Sequence, residues 1–472
     1  MDRPATHRGW TGEDIRALVV ESGARLGIPI EREAAETDFG RLVRGTSVAV
    51  ISPRSVDEVE KIIAFANTRG LQLTARGRGL SQGGQAIAAN SVTLDLNALD
   101  RVGQPDVERQ SITCEGGASY RAVVSATAPR GLLPTVVPAN LELSVGGVLS
   151  AAGFGASSHV HGPAIADVAS LEVITGGGRR VVADEEHERR IFDAVLGGTG
   201  RCGILVGATL RLRPFLPKVR RFCLLYDTIG PWLEDQRALI ASGAAQYLEC
   251  FCTPSVQGFR RDGNRSKLFA QWFYALHASF EYDDAPPSSG TALAGLHPSR
   301  LVWSDDMDTV EYVDRNEPRF VGMRRSGATT HQHPWVETLL PADALSELLP
   351  RVLDEVPLAL GEAVRVFFVA TRNPRPFFMT PTSAEVVGIA FTPIQVPPHL
   401  QDDALAAARS IHDITRTAGA KRYISGYLGS MDQASWRDHY GDRYDAWVAA
   451  KQELDPNHVL VSNLFPADAT RT

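Results

Sequence analysis

The sequence has little of several things that mark whole classes of protein. Its five cysteines, Cys114, Cys202, Cys223, Cys250 and Cys252, form no even or regularly spaced set. That argues against a disulfide framework and fits a reducing compartment. Cys250-x-Cys252 is too tight for the usual zinc-knuckle spacing, so no metal is expected there. No stretch reaches about 18 uninterrupted apolar residues, so no membrane span is expected. The opening MDRPATHRGWTGEDIRALVV has no apolar segment behind a basic start. No signal peptide is therefore expected, and the simplest address is cytoplasmic. A basic surplus is also missing: 48 Lys and Arg stand against 55 Asp and Glu, a net charge of −7. With the arginines scattered, neither nucleic acid nor an anionic membrane is an expected partner.

What remains is an ordinary globular composition, 44% hydrophobic and 22% charged. At 472 residues the chain exceeds what one hydrophobic core usually serves, which predicts two or more domains. Residues 12–26 read as an amphipathic helix, with Asp14 in its first turn and Gly27 just past its end. SVAVISP (47–53) is β-rich. Residues 55–70 place Val56, Val59, Ile62, Ile63 and Ala66 at helical spacing and close on Gly70. The strand LQLTA then runs into RGRGLSQGGQ, completing a strand–helix–strand unit. Further on come a helix over 118–131, a hairpin over 168–183, and a helical tail over 435–460 that stops at Asp455-Pro456.

Glycine crowds the part before Pro214. Three turns, RGRGLSQGGQ, SVGGVLSAAGFGASS and GGTGRCGI, lie beside strand patterns. Glycines let backbone N–H groups converge on an anion at close range. Three such turns fit a long ligand with a diphosphate. Gly77-x-Gly79 lacks the third glycine and distant acidic residue of a dinucleotide fingerprint, and there is no Walker lysine.

The segments TARGRGLSQGGQA, SVGGVLSAAGFGASSHVHGPAIADVASLEVITGGG and IFDAVLGGTGRCGILVGATLRLRP resemble the FAD-binding half of the vanillyl-alcohol oxidase type flavoproteins. The likeness is to cytokinin dehydrogenases in particular and continues through VEYVDRNEPRF, HPWVETLLP and WVAAKQELDPNHVL. It implies an α+β fold: a two-part FAD-binding domain with an antiparallel-sheet substrate cap. The FAD domain would span 1–213, the cap 214–430, and 431–472 would return to the FAD domain. It also implies that Arg76, Gly77, Arg78, Gly79, Leu80, Ser81 and Gln85 form the pyrophosphate loop. Val145, Gly146, Gly147, Ser150, Gly153 and Gly155 would line the phosphates and flavin edge. His161 and Gly162, through Ile165, would support the ribityl and diphosphate region. Gly203 and Ile204 would present backbone to the adenine or flavin portion.

Leu80 departs from the family pattern. Cytokinin dehydrogenases carry there a histidine bonded to the flavin methyl carbon, and leucine has no nucleophilic atom. Other relatives use a cysteine near the VGG turn, where this chain reads VVPANLELSVGG. FAD is therefore expected to be held without a covalent bond.

The family aspartate before the VGG turn is replaced by Ala139, between Pro138 and Asn140. The glutamate that holds the cytokinin amine falls near His277. Cytokinin specificity is accordingly not carried over. Flavin oxidation of a C–H bond usually needs a base for a neighbouring O–H or N–H proton. The candidates are Glu337, His277 and Tyr427; the bland alternatives are a solvated strand carboxylate, a satisfied core histidine and a half-buried strand tyrosine. His333, before Pro334, reads as structural. The leading expectation is an FAD-dependent oxidoreductase acting on an amine, alcohol or aromatic metabolite, with molecular oxygen or another electron acceptor. A flavin-dependent oxygenase of a biosynthetic pathway and a catalytically degenerate flavin-binding protein stay open, as does a homodimer.

Overall fold

The computed structural model of the chain describes residues 7–263, 265–429 and 431–465. Among these, no helix is long and apolar enough to cross a membrane. The first helix, Gly12–Ser22, starts at a capping box in which Thr11 and Asp14 bond each other's backbone N–H groups. It ends four residues earlier than the sequence pattern suggests. Gly23 takes φ 81° and returns its N–H to Val19, so the left-handed cap falls there and not at Gly27. Arg25–Leu26 is thereby freed to pair antiparallel with Ser52 and Ile51.

The first sheet orders its strands Arg25–Leu26, Ser47–Ser52, Ser91–Asp95, Leu73–Arg76, the last three mutually parallel. The helix Val56–Arg69 crosses between two of them. It buries Val56, Val59, Ile62, Ile63 and Ala66, the stripe its spacing predicts, in the core shared with that sheet. The second sheet is antiparallel around the long strand Gly203–Pro214. That strand pairs with Ser111–Glu115, with Val168–Thr175, and at its far end with Leu132–Pro134; Arg180–Ala183 completes the predicted hairpin.

The cap is an eight-stranded antiparallel sheet. Its order is Arg300–Asp308, Lys218–Tyr226, Arg265–Tyr282, Tyr247–Asp262, Val364–Val369, Val386–Phe391, Val336–Pro341, Lys421–Arg422. One register row, Leu224–Leu276–Cys250–Val366–Ile389, faces a layer formed by the helices Ile229–Ser242, Leu345–Glu355 and Gln401–Arg416. Side chains alternate along a strand, so the flanking rows face the opposite way. One flanking row runs through Ala275, Phe251, Arg365, Ala390 and Glu337; the other contains His277 and Glu249. A charged and aromatic face thus lies opposite the helix layer.

The helices Gln433–Tyr440 and Tyr444–Leu454 bring the chain back. Trp436, Tyr440 and Trp447 stack at 4.3–6.0 Å in the core of the second sheet. Leu460 then runs parallel beside Leu73, with Leu73 N–H donating to Val459 at 2.7 Å and Val461 N–H to Leu73 at 2.9 Å. The returning segment therefore braces the strand that feeds the glycine-rich loop.

Candidate functional site

The strand Leu73–Arg76 ends in a loop with two differently engaged halves. Its second half is tied across to the cap. Gln82 N–H donates to Ser425 at 2.9 Å, Gln82 Oε1 accepts from Trp335 N–H at 2.6 Å, and the Gln85 side-chain amide donates to Ile424. In the first half, the N–H groups of Arg78, Gly79, Leu80 and Ser81 find no acceptor among the described residues. Successive unpaired amides on a cavity wall form an anion cradle.

Gly79 has φ +67°, and the Arg76 guanidinium lies where a Cβ would stand. That guanidinium donates to Ala34 at 3.0 Å and leaves Nη1 buried without a partner. Burial pulls its pKa down, with Asp95 and Asp38 opposing. Across the cavity, Ser144 caps the helix Val145–Ala151 by accepting from Gly147 N–H at 3.3 Å. A Cβ on Gly77 would come within 2.6 Å of the Ser144 hydroxyl, so glycine lets the two turns meet. Replacing Gly79 by alanine is expected to weaken FAD uptake about tenfold. The left-handed backbone alone costs roughly 1–2 kcal/mol, and Arg76 must also move. A fluorescence titration of the apoprotein with FAD measures this.

These turns enclose a cavity of about 1060 Å³, counting its open mouth. Arg76, Gly77, Arg78, Gly79, Leu80, Ser81 and Gln85 line it, with Gly146, Gly147, Ser150, Gly153, Gly203 and Ile204. Gln85 lines the wall, but its amide is spent on Ile424 and on Gly83 N–H. Five of the implied cofactor residues lie elsewhere. Val145 opens its helix facing the core and is fully buried, while the next two positions turn to the cavity. Ile165 is likewise a core residue. Gly155 packs on the Val137 backbone, and Gly162 leaves 2.7 Å between a would-be Cβ and the Ala370 carbonyl. His161 stands 3.8 Å from Asp167, with burial lowering its pKa. This 155–165 segment packs at the foot of the cap strand Val364–Val369, where Ala370 N–H donates to Ser158 at 2.9 Å. Ser144, Thr199, Gly200, Tyr423 and Ser425 join the lining without having been expected. A capping serine directly before VGG was the legible signal for Ser144.

The three candidate bases are not brought together. Glu337 is half-buried, and its carboxylate has no hydrogen bond or ion pair among the described residues. Burial raises its pKa to about 7 against the pull of Arg365 and Arg319. Its carbonyl accepts from the N–H of Tyr423 at 3.0 Å. The Tyr423 ring lines the cavity and packs against Phe154 at 5.0 Å. His277 sits between Phe251 and Trp303, at 5.1 and 5.4 Å, with its pKa lowered by burial. Four strand steps, roughly 19 Å at the usual spacing, separate it from Glu337 in the sheet order. Tyr427 packs against the helix-side core of the cap and away from the cavity lining. The strand Lys421–Arg422 ends in a turn, so alternation does not carry from Tyr423 to Tyr427. His333 is fully buried, and its N–H donates to Gly40 at 3.1 Å.

A two-part glycine-walled domain under an antiparallel cap is the architecture of a FAD-binding oxidoreductase, and the free amides on the cavity wall fit that cofactor's diphosphate. The FAD binding domain family matches residues 48–184, and the family described as cytokinin dehydrogenase 1, FAD and cytokinin binding, matches residues 289–463. An uncharacterized oxidoreductase in the fasciation locus of Rhodococcoides fascians is 28% identical over 90% of this chain and 95% of its own. Cytokinin dehydrogenase 5 of Oryza sativa subsp. japonica is 29% identical over 93% of this chain and 90% of its own. Cytokinin dehydrogenase 1 of Arabidopsis thaliana is 26% identical over 90% and 79%. The chain thus carries an FAD-binding domain and a cytokinin dehydrogenase-like FAD- and cytokinin-binding domain, and is similar to cytokinin dehydrogenases over nine-tenths of its length.

Proposed function

We propose that this protein oxidises a small organic substrate, an amine, alcohol or aromatic metabolite, at FAD held without a covalent bond. The observation that carries the noncovalent part is the composition of the cavity wall, which among the described residues contains no histidine or cysteine and has Leu80 in the glycine loop. Arg76–Ser81 and the Ser144-capped turn would hold the diphosphate through backbone N–H groups. When bound, the flavin supplies a hydride acceptor. In this reading residues 1–213 and 431–472 form the FAD domain and 214–430 the substrate cap.

Glu337 takes the O–H or N–H proton of the substrate. It is half-buried, unpaired, and close to neutrality in pKa, which suits a base working near pH 7. Tyr423, whose N–H donates to the Glu337 carbonyl and which lines the cavity, orients the substrate from the flavin side. Phe154, Phe367 and Phe378, packed at 5.5–5.9 Å, form an apolar wall beside Tyr423 that excludes water. The relatives' names point to cytokinins, but Ala139 stands where the resemblance implies an aspartate, and the implied glutamate falls near His277. The proposal therefore stops at the wider class, with molecular oxygen or another compound as electron acceptor.

Acid precipitation of the yellow holoprotein is expected to leave the flavin in the supernatant. Flavin retained in the pellet would reverse the noncovalent assignment. Anaerobic bleaching of the visible flavin band by a substrate tests the oxidation itself. A protein that stays colourless after incubation with FAD removes the reading altogether.

A further inference from the structure

Arg365 makes no direct ion pair among the described residues, although the carboxylates of Glu249, Glu337 and Glu362 act on it through space. It projects from the same register row as Phe251, Ala390 and Glu337. The other charged groups nearby are engaged. Arg315 donates to Glu249 at 2.7 Å, Arg319 donates to the carbonyl and hydroxyl of Thr392 at 2.6 and 3.1 Å, and the Glu362 carboxylate accepts from Ile394 N–H at 2.8 Å. Arg365 forms no hydrogen bond or ion pair among the described residues, and its guanidinium carbon lies 5.3 Å from the centre of the Phe251 ring. It is half-buried. A partly desolvated guanidinium left unpaired is costly, and its planar fork of donors matches a carboxylate.

Its position connects it to the flavin cavity. Phe367, two residues along the same strand and facing the same way, packs on Phe154 at 5.5 Å, and Phe154 packs on Tyr423 of the cavity wall. Between Arg365 and Glu337 the row carries only the methyl group of Ala390. Arg319 and Arg365 also repel: the pKa of Arg319 is drawn down to about 10 by burial, with Arg365 adding to the effect. An anion bound here would relieve both costs. Of the carboxylates that act on Arg365, Glu249 is bonded to Arg315 and Glu362 to the N–H of Ile394, which leaves the guanidinium fork itself open to a ligand.

We propose that the substrate is a small organic acid whose carboxylate is received by the Arg365 guanidinium, placing its oxidisable carbon between Glu337 and Tyr423. This rests on the proposed function, since it names the substrate class of that same site. Neither the glycine loop nor the cavity wall contains Arg365, so FAD uptake is a separate readout.

The test titrates FAD-loaded protein anaerobically with mandelate, lactate and benzoate, each beside its methyl ester, and follows perturbation or bleaching of the flavin spectrum. At least one acid is expected to act at a concentration roughly 10–100-fold below its ester, the range of a charge-assisted pair. Arg365→Met is expected to erase that preference while leaving FAD uptake and ester binding unchanged, and Arg365→Lys to restore part of it. Equal response to acid and ester, no response to any acid, or a preference that survives in Arg365→Met overturns the inference. Those results leave the oxidoreductase reading standing if a neutral amine or alcohol bleaches the flavin. Failure to take up FAD fails that reading instead.

Discussion

Replacing Glu337 by glutamine is expected to slow flavin reduction by roughly 10²–10⁴-fold, the usual contribution of a positioned base, with FAD uptake unchanged. Glutamine keeps the shape and loses the proton acceptor. In the parent protein the reduction rate should rise with pH through about 7, because only the ionised carboxylate can take a proton and burial holds the group neutral below that point. In the variant the same profile should be flat. Stability gives a second readout with its own sign. The carboxyl has an ordinary pKa of 4.5 and a folded value of about 7, so between those limits the folded chain binds more protons than the unfolded one. Stability from this group is therefore full below pH 4.5 and is lost as pH rises toward 7. Glu337→Gln should remove that slope from a series of denaturant midpoints taken across the window. Stopped-flow rates and a pH profile indistinguishable from the parent would exclude Glu337 as the base.

The parts of this site that depend on local backbone chemistry were legible in the chain itself. Gly79 takes a left-handed conformation against Arg76, and it was three glycine-rich turns together, not RGRGLSQGG alone, that pointed to a ligand with a diphosphate. The helix Val56–Arg69 and the hairpin over 168–183 follow from spacing and turn residues. The early stop of the first helix was also written there, since Gly23 offers the same cap as Gly27; periodicity drew the reading onward to the later glycine.

What could not be read was set by long-range pairing. Arg365 and Glu337 belong to strands separated by Val386–Phe391 in the sheet, and only that order places them on either side of Ala390. In a single sequence each looks like a solvated strand charge. Tyr423 and Tyr427 share one short motif, and the turn between them sends one ring to the cavity and the other to the helix-side core. Ala139 and His277 suggested departures from the family pattern, and nothing near them in sequence pointed to Arg365 or Tyr423.

Asp455→Ala is expected to destabilise the protein by about 3–5 kcal/mol, the cost of breaking a buried ion pair by removing one partner. The Asp455 carboxylate is fully buried and accepts from Lys451 Nζ, from Val459 N–H at 2.8 Å and from Leu460 N–H at 2.9 Å. Lys451 in turn donates to the carbonyls of Arg201 and Leu460 at 2.8 and 2.7 Å. One buried pair thus ties the last helix to the second sheet and turns the chain so that Val459–Val461 can lie along Leu73. Loss of the carboxylate strands the ammonium and leaves two buried amides unpaired. For a domain of about 200 residues the change amounts to a fall in Tm on the order of 10 °C. Because Leu73 begins the strand that delivers the glycine loop, FAD retention should fall with it, and added FAD should recover part of the lost Tm by mass action. Lys451→Met combined with Asp455→Leu should lose less than Asp455→Ala alone, since no charge is then left buried. A single variant as stable as the parent, or a double variant worse than the single, would show that the pair does not anchor the returning chain.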